Sequence, residues 1–293
     1  MLLPSGSSRP VRVMPSATPG VAAAVSLAVS DVFVKVVLAS GCDVLTMLTI
    51  RSFFGLALVA AWLRIKPPPA ADARIRWISF SIGIILACLM YLLFKAIEVT
   101  DVPTAIVTYF VYPLFTGLAA GLVGLEAFRW RGILCAIIAL FGLAVMIGAH
   151  PAGFVSLGVM CALGAAVCRT AVLLVTRRFL IGGDARVTTW YSGVATLLVF
   201  VAAALAAWSW NMPETNYGWL ALLVMSVASM ASIVLIFLST VQIGPFRTAL
   251  LMQLEPLIGI VLSAVLLGQV ITPTQALGSA IMLAGLAAFQ LTR

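Results

Sequence analysis

Apolar residues fall into ten runs near positions 21–40, 44–63, 77–97, 102–123, 132–149, 154–176, 187–208, 217–241, 246–267 and 274–291. Each is close to the roughly 20 residues an α-helix needs to cross the hydrocarbon core of a bilayer. The breaks between them hold helix-stopping clusters: Lys66-Pro67-Pro68-Pro69, His150-Pro151-Ala152-Gly153, Gly182-Gly183-Asp184 and Asn211-Met212-Pro213. This pattern predicts an all-α integral membrane protein of ten transmembrane helices, with no room for a soluble domain between them. Residues 1–20, carrying Pro4, Pro10, Pro15 and Pro19, read as a disordered cytoplasmic tail. The run that follows contains Asp31 and Lys35 and lacks a cleavage site, so it is expected to stay as a first helix rather than leave as a signal peptide.

Composition and charge sharpen this reading. The chain is 63% hydrophobic and 9% charged, against about 25% charged in soluble domains. Its net charge of +8 comes from residues scattered between apolar runs, not from a basic face of the kind that binds nucleic acid. If the N-terminus is cytoplasmic, thirteen of the seventeen basic residues fall on that side, from Arg9 and Arg12 through Arg64, Lys66, Arg129, Arg177 and Arg247 to Arg293. The opposite loops hold none, as the positive-inside rule requires. The expectation is a bacterial-type inner membrane protein with both termini in the cytoplasm. Five cysteines without a CxxC pair and a single histidine, His150, indicate no disulfide framework, no metal and no cofactor. A nucleophile–base set and a nucleotide-binding domain are also missing, which argues against an enzyme and against an ATP-driven pump.

A shift of 143 residues carries Pro113-Leu114 onto Pro256-Leu257 and Gly142-Leu143-Ala144 onto Gly285-Leu286-Ala287, and places Glu126 on Gln269. The chain then divides into repeats at 21–149 and 150–293, each of five helices. An odd number of crossings inserts the second repeat with the opposite sense, a plan of secondary transporters that bind substrate near the midplane between the halves.

Several stretches carry a resemblance across residues 21–291. They are Phe94-Lys-Ala-Ile-Glu-Val-Thr-Asp-Val-Pro-Thr-Ala, Tyr112-Pro-Leu-Phe-Thr-Gly, Leu125-Glu-Ala-Phe-Arg-Trp-Arg-Gly, Glu255-Pro-Leu-Ile-Gly and Leu267-Gly-Gln-Val-Ile-Thr-Pro-Thr-Gln-Ala-Leu-Gly. With Lys35 and Arg51 of the opening helices, they resemble the EamA-type drug/metabolite transporter superfamily. The resemblance implies two inverted five-helix repeats around a central cavity, with helices 5 and 10 at the periphery, and transport of small metabolites. Gln269 departs from the acidic residue common there, so two symmetric carboxylates at that position are not expected.

Charges inside a span cost ~2.5–3.5 kcal/mol each on insertion scales, and mark a cavity, a partner or both. Asp31 and Lys35 stand one turn apart on the first helix, a spacing that allows an ion pair of structural or pathway significance. Lys95 and Glu98 lie near the outer end of the third helix, where snorkelling or a place at the cavity lip would serve. Arg51 is two turns into its helix and needs a partner from another helix, a carbonyl or an anionic substrate; Arg169 can snorkel more readily. Tyr112 and Glu255 are the sharpest pair, since each precedes a helix-kinking proline, Pro113 or Pro256, at equivalent positions. Glu255 is placed to exchange a proton, neutralise an ammonium, or pair with Arg51 or Arg169. Tyr109 and Gln253 add hydrogen-bonding groups beside that pair, and Tyr91 is a further aromatic of the pathway or of the interface. These residues suggest a carrier, first an exporter of amino acids or related carboxylate-bearing compounds, with protons as a candidate coupling ion. An uptake carrier for a vitamin or nucleoside-like solute, and a non-transporting sensor or scaffold, are the alternatives. Expected partners are the small-molecule substrate and membrane lipid, with the chain acting as a monomer or homodimer.

Overall fold

The computed structural model describes residues 17–100, 102–148, 156–208 and 210–291. They form twelve α-helices: α1 (Thr18–Ala39), α2 (Val44–Ile65), α3 (Ala73–Val99), α4 (Val102–Tyr109), α5 (Tyr112–Leu122), α6 (Trp130–Ile147), α7 (Leu157–Phe179), α8 (Ala185–Ala207), α9 (Asn216–Ile243), α10 (Pro245–Met252), α11 (Leu254–Leu267) and α12 (Pro273–Leu291). α4 with α5, and α10 with α11, each continue as one broken rod, so ten rods are present. Nine of these, among the described residues, are long and apolar enough to cross a membrane by length and composition. The tenth, α12, is a 19-residue helix with polar Thr274 and Gln275 in its first turn, and it lies along α6. α1 begins at Thr18 with Pro19 in its first turn, where a missing N–H costs nothing. The expected tail is therefore shorter than 1–20; its residues 1–16, the His150–Gly153 connection and Arg293 lie outside the described residues.

The packing has the twofold character the repeat implies. α1 lies on α9 and, equivalently, α3 on α7; α2 meets α8, and α6 meets α12. Small residues allow these contacts to be close, because lipid supplies no hydrophobic drive and helices associate through packing and hydrogen bonds. Along α1 the buried face is Ala23, Ala24, Ala28 and Ser30, facing Ser229 and Ser232 of α9. Ser30 and Ser229 share a 2.6 Å hydrogen bond, and Ser232 donates to the Ala23 carbonyl at 3.0 Å. On the α6–α12 seam, Gly142 and Gly278 leave no space for a Cβ, since each faces the other helix's backbone. α12 packs on α6 and on no other helix to comparable extent, which puts this pair at the edge of the bundle.

The repeat also extends to the turns. Asp43 caps α2, accepting from Thr46 N at 3.0 Å, and reaches across the halves to accept from Asn211 N at 2.8 Å. Asp184 caps α8 at the other face, accepting from Arg186 N at 2.8 Å and pairing with its guanidinium at 2.6 Å. Arg186 in turn donates to the Lys66 carbonyl at 2.9 Å. Each second helix of a repeat thus starts on an aspartate that ties it, directly or through one arginine, to a turn of the opposite half.

The hydrogen bond from the Arg186 side chain holds the Asp184 carboxyl below its ordinary range, against the opposing effect of burial. A carboxyl with a depressed folded value stabilises the fold above its unfolded range and loses that contribution as pH falls through the folded value. Asp184→Ala should lower stability by about 1–2 kcal/mol at neutral pH, read as a lower Tm in detergent, with the difference from wild type shrinking under acid. A mutant as stable as wild type at neutral pH would contradict this account of the cap.

Candidate functional site

The two broken rods place their breaks at equivalent positions. α4 stops at Tyr109 and α5 starts at Tyr112; α10 stops at Met252 and α11 starts at Leu254, one residue before Glu255. Proline at position 113 or 256 removes one backbone donor in each. At the first break, Thr116 of α5 and Thr170 of α7 donate to the Tyr112 carbonyl at 2.7 and 3.3 Å. Tyr112 lies buried with its ring 5.3 Å from that of Tyr109, and its hydroxyl donates to the Ala249 carbonyl at 3.4 Å. This last bond joins the two broken rods at mid-span.

Charged groups converge here from four rods. The Asp31 carboxyl of α1 comes beside the Glu255 carboxyl of α11, near enough for the two to interact, and the charges of Arg51 and Arg169 also act on Asp31. Arg169 also acts on Glu255 and lies 5.8 Å over the Tyr112 ring. Arg51 donates to Met90 Sδ of α3 at 3.2 Å. Asp31 and Lys35 are exposed although both belong to α1, which packs against α9, α10 and α11. Charged side chains left exposed at mid-span would be costly against lipid, which assigns this face of α1 to a water-accessible cleft. Arg169 Nε and Gln253 Oε1 are buried there without a hydrogen-bond partner, an arrangement that a polar ligand would satisfy.

Two expectations change. Asp31 lies beside Glu255 and makes no ion pair with Lys35; among the described residues the ion pairs are Lys95–Glu98, at 3.1 Å, and Asp184–Arg186. Arg169 does not snorkel: only 8% of it is exposed, because the Tyr112 face and the Glu255 charge hold it inside. Arg51 finds its neighbours on other helices, a thioether and a carboxylate, as its isolation within α2 requires. Lys95 stays with Glu98 near the end of α3, and Tyr91 is exposed on the same helix; neither joins the central cluster. Gly117 of α5, within a small-residue spacing that signals helix-on-helix contact, faces the Phe246 ring of α10.

The cleft has one open end. α5 packs on α10, and α10 reaches α7, whereas the symmetry-related pairs, α4 with α11 and α4 with α1, make no contact of comparable extent. The rods are closed at the end where α5 finishes and α10 begins, beside the arginine-rich turns, and parted at the opposite end. Sequence reasoning missed this difference because it depends on which of two equivalent helix ends touch. It also missed Glu126, which reaches the start of α10 and accepts from Phe246 N at 3.3 Å; its carboxylate in a short turn two residues past a glycine was the available signal.

Comparison with known proteins agrees with this architecture. The EamA-like transporter family matches residues 17–148 and 156–289, the two halves in turn. A crystal structure described only as that of a protein superposes with a TM-score of 0.77 at 19% identity, covering 95% of this chain and 99% of its own, which speaks for the fold alone. No curated protein sequence matches the chain. With both repeats matched and all described rods accounted for, the chain belongs to the EamA-like transporter family and is a multi-pass membrane transporter, not an enzyme.

Proposed function

We propose that this transporter is a proton-coupled exporter of small amino- and carboxylate-bearing metabolites, amino acids first among them, working by alternating access around Asp31 and Glu255. The observation that carries the reading is the juxtaposition of the Asp31 and Glu255 carboxyls, with Arg51 and Arg169 near them, beside the break in the second broken rod. A hydrogen bond between two carboxyls needs a proton on one of them, since ionised carboxylates only accept. Two adjacent carboxyls that cannot both ionise are a natural place to hold one proton. A substrate ammonium would compete for the same oxygens, so the pair exchanges proton for substrate and does not carry both together. The substrate carboxylate would go to the guanidinium side of the cleft, where Arg169 Nε has no partner. Exchange of this kind, with protons entering from outside, drives substrate out.

The positive-inside rule supports the orientation. The arginine-rich turns lie at the closed end, so the cytoplasmic face is the closed one and the cleft opens outward, to the side from which protons would load. Both termini are then cytoplasmic, in an inner membrane of bacterial type.

Efflux of a radiolabelled amino-acid mixture from proteoliposomes, with and without an inward proton gradient, tests the reading. Wild type should show gradient-driven efflux, and Glu255→Gln and Asp31→Asn should each lose roughly tenfold or more of the gradient stimulation while keeping downhill exchange. Unchanged gradient dependence in both mutants would remove the pair from coupling. Selectivity confined to purely cationic compounds would sink the assignment of the arginines to a substrate carboxylate.

Gln253 separates stability from function. Its buried Oε1 lacks a partner, so an apolar side chain of similar length should fit better: Gln253→Met should raise stability by about 1 kcal/mol and weaken efflux. A lower Tm, or a higher Tm with efflux intact, would mean that Gln253 is not held in place for a ligand.

A further inference from the structure

Glu126 sits in the turn between α5 and α6, yet its carboxylate reaches the first turn of α10. Oε1 accepts from Phe246 N at 3.3 Å and lies where a Cβ on Gly244 would have to be, while Gly244 itself has φ of +95°. Two features thus require glycine at position 244: a left-handed backbone and the carboxylate pressed against it. Pro245 follows at the start of the helix, so Phe246 N is among the first donors the helix can offer. The groups around the carboxylate are Arg177 of α7, Arg247 of α10 and Arg129 of the α5–α6 turn; burial nevertheless raises the carboxyl above its ordinary range, outweighing the Phe246 N–H and the three arginines. Arg177 also donates to the Val241 carbonyl at the end of α9. One carboxylate therefore stands where the ends of α5, α7, α9 and α10 meet.

The Phe246 side chain completes the contact. It fills the hollow left by Gly117 of α5 and Gly132 of α6, and its ring lies 5.6 Å from that of Phe289 on α12. A Cβ at Gly117 or Gly132 would collide with this ring. These are the contacts that close α5 onto α10, the closure that has no counterpart between α4 and α11.

The other end of the repeat lacks the parts to build the same closure. The 143-residue shift brings Phe246 onto Pro103, which has no N–H to donate, Gly244 onto Asp101, and Glu126 onto Gln269. Donor, glycine and carboxylate are all replaced. We propose that Glu126, Gly244 and Phe246 form a one-sided latch that holds the transporter closed at its arginine-rich face and sets its resting state open at the opposite face. A device present at one end of an otherwise twofold structure favours one of two conformers that symmetry alone would leave nearly equal in energy.

The inference rests on the alternating-access reading above, and amide hydrogen exchange tests it without reference to substrate or protons. The full chain in lipid nanodiscs is compared with Glu126→Ala and with Gly244→Ala, which displaces the carboxylate without removing its charge. In both variants exchange over residues 244–252 should rise about fivefold or more, the scale of a lost helix cap. Over residues 102–109 and 254–267 it should fall, because the opposite end closes when the latch opens. Glu126→Gln, which keeps an acceptor oxygen, should lie between wild type and these two variants, and serves if either of them fails to fold. A rise at 244–252 with no change at the far end would mean a local cap and overturn the latch, as would wild-type exchange throughout. Failure of gradient coupling in the efflux assay would leave these exchange patterns untouched, so the two readings fail separately.

Discussion

In hydrocarbon every backbone donor and acceptor must be satisfied within the protein, so a transmembrane rod is tolerated with a break only where other groups take up what the break releases. This transporter breaks two rods at mid-span, and the rest of its centre is arranged around that fact. Thr116 and Thr170 turn their hydroxyls to the Tyr112 carbonyl, and the Tyr112 hydroxyl reaches the Ala249 carbonyl of the second broken rod. Once polar groups must gather at the middle of the bilayer to heal the breaks, charged ones can join them at lower cost. Asp31, Arg51, Arg169 and Glu255 do so from four different rods.

The twofold plan supplies position, and departures from it supply chemistry. Tyr109, Phe110 and Tyr112 of the first break correspond to Met252, Gln253 and Glu255 of the second. The first half contributes a buried aromatic cluster, with ring centroids 5.3–5.8 Å apart; the second contributes an amide and a carboxyl. A symmetric pair of tyrosines would have no charge to exchange, and a symmetric pair of glutamates would need two compensating cations. The aromatic half instead offers its face to Arg169, holding the cation that the acidic half needs close by.

What was legible in the sequence follows from the range of the forces involved. Helix positions, the shift relating the halves and the paired prolines depend on local hydropathy and backbone chemistry, and all appear as read. The capping roles of Asp43 and Asp184 appear only in the structure, although each stands directly before an apolar run. Asp31 defeated the reading because spacing along one helix favours Lys35, whereas α11 brings Glu255 against it from 224 residues away. Arg169 was misplaced for a similar reason: depth in a helix says how far a side chain must stretch to reach water, not whether an aromatic face and a carboxyl make staying inside better. The partner of Glu126 lies 120 residues on, in a turn-to-helix contact that no periodicity announces.

The site and the gate impose opposite demands on the same broken rods. At the centre, α4–α5 and α10–α11 must flex about their breaks, so the groups there are held by side chains and not by continuous helix. At the arginine-rich end they must meet firmly, and there the chain uses an aromatic in a hollow between glycines together with a carboxylate against three arginines. A desolvated carboxylate is costly to hold, and the Phe246 N–H and the three arginines offset only part of that cost while α10 is in place. In the proposed latch, withdrawing α10 removes that offset, so a half-formed contact is disfavoured relative to a formed one and two conformers are separated instead of blurred into a continuum. Because the first half has Asp101 and Pro103 where α10 has Gly244 and Phe246, the proposed latch belongs to one end only, and it is this difference that would give the resting state its direction.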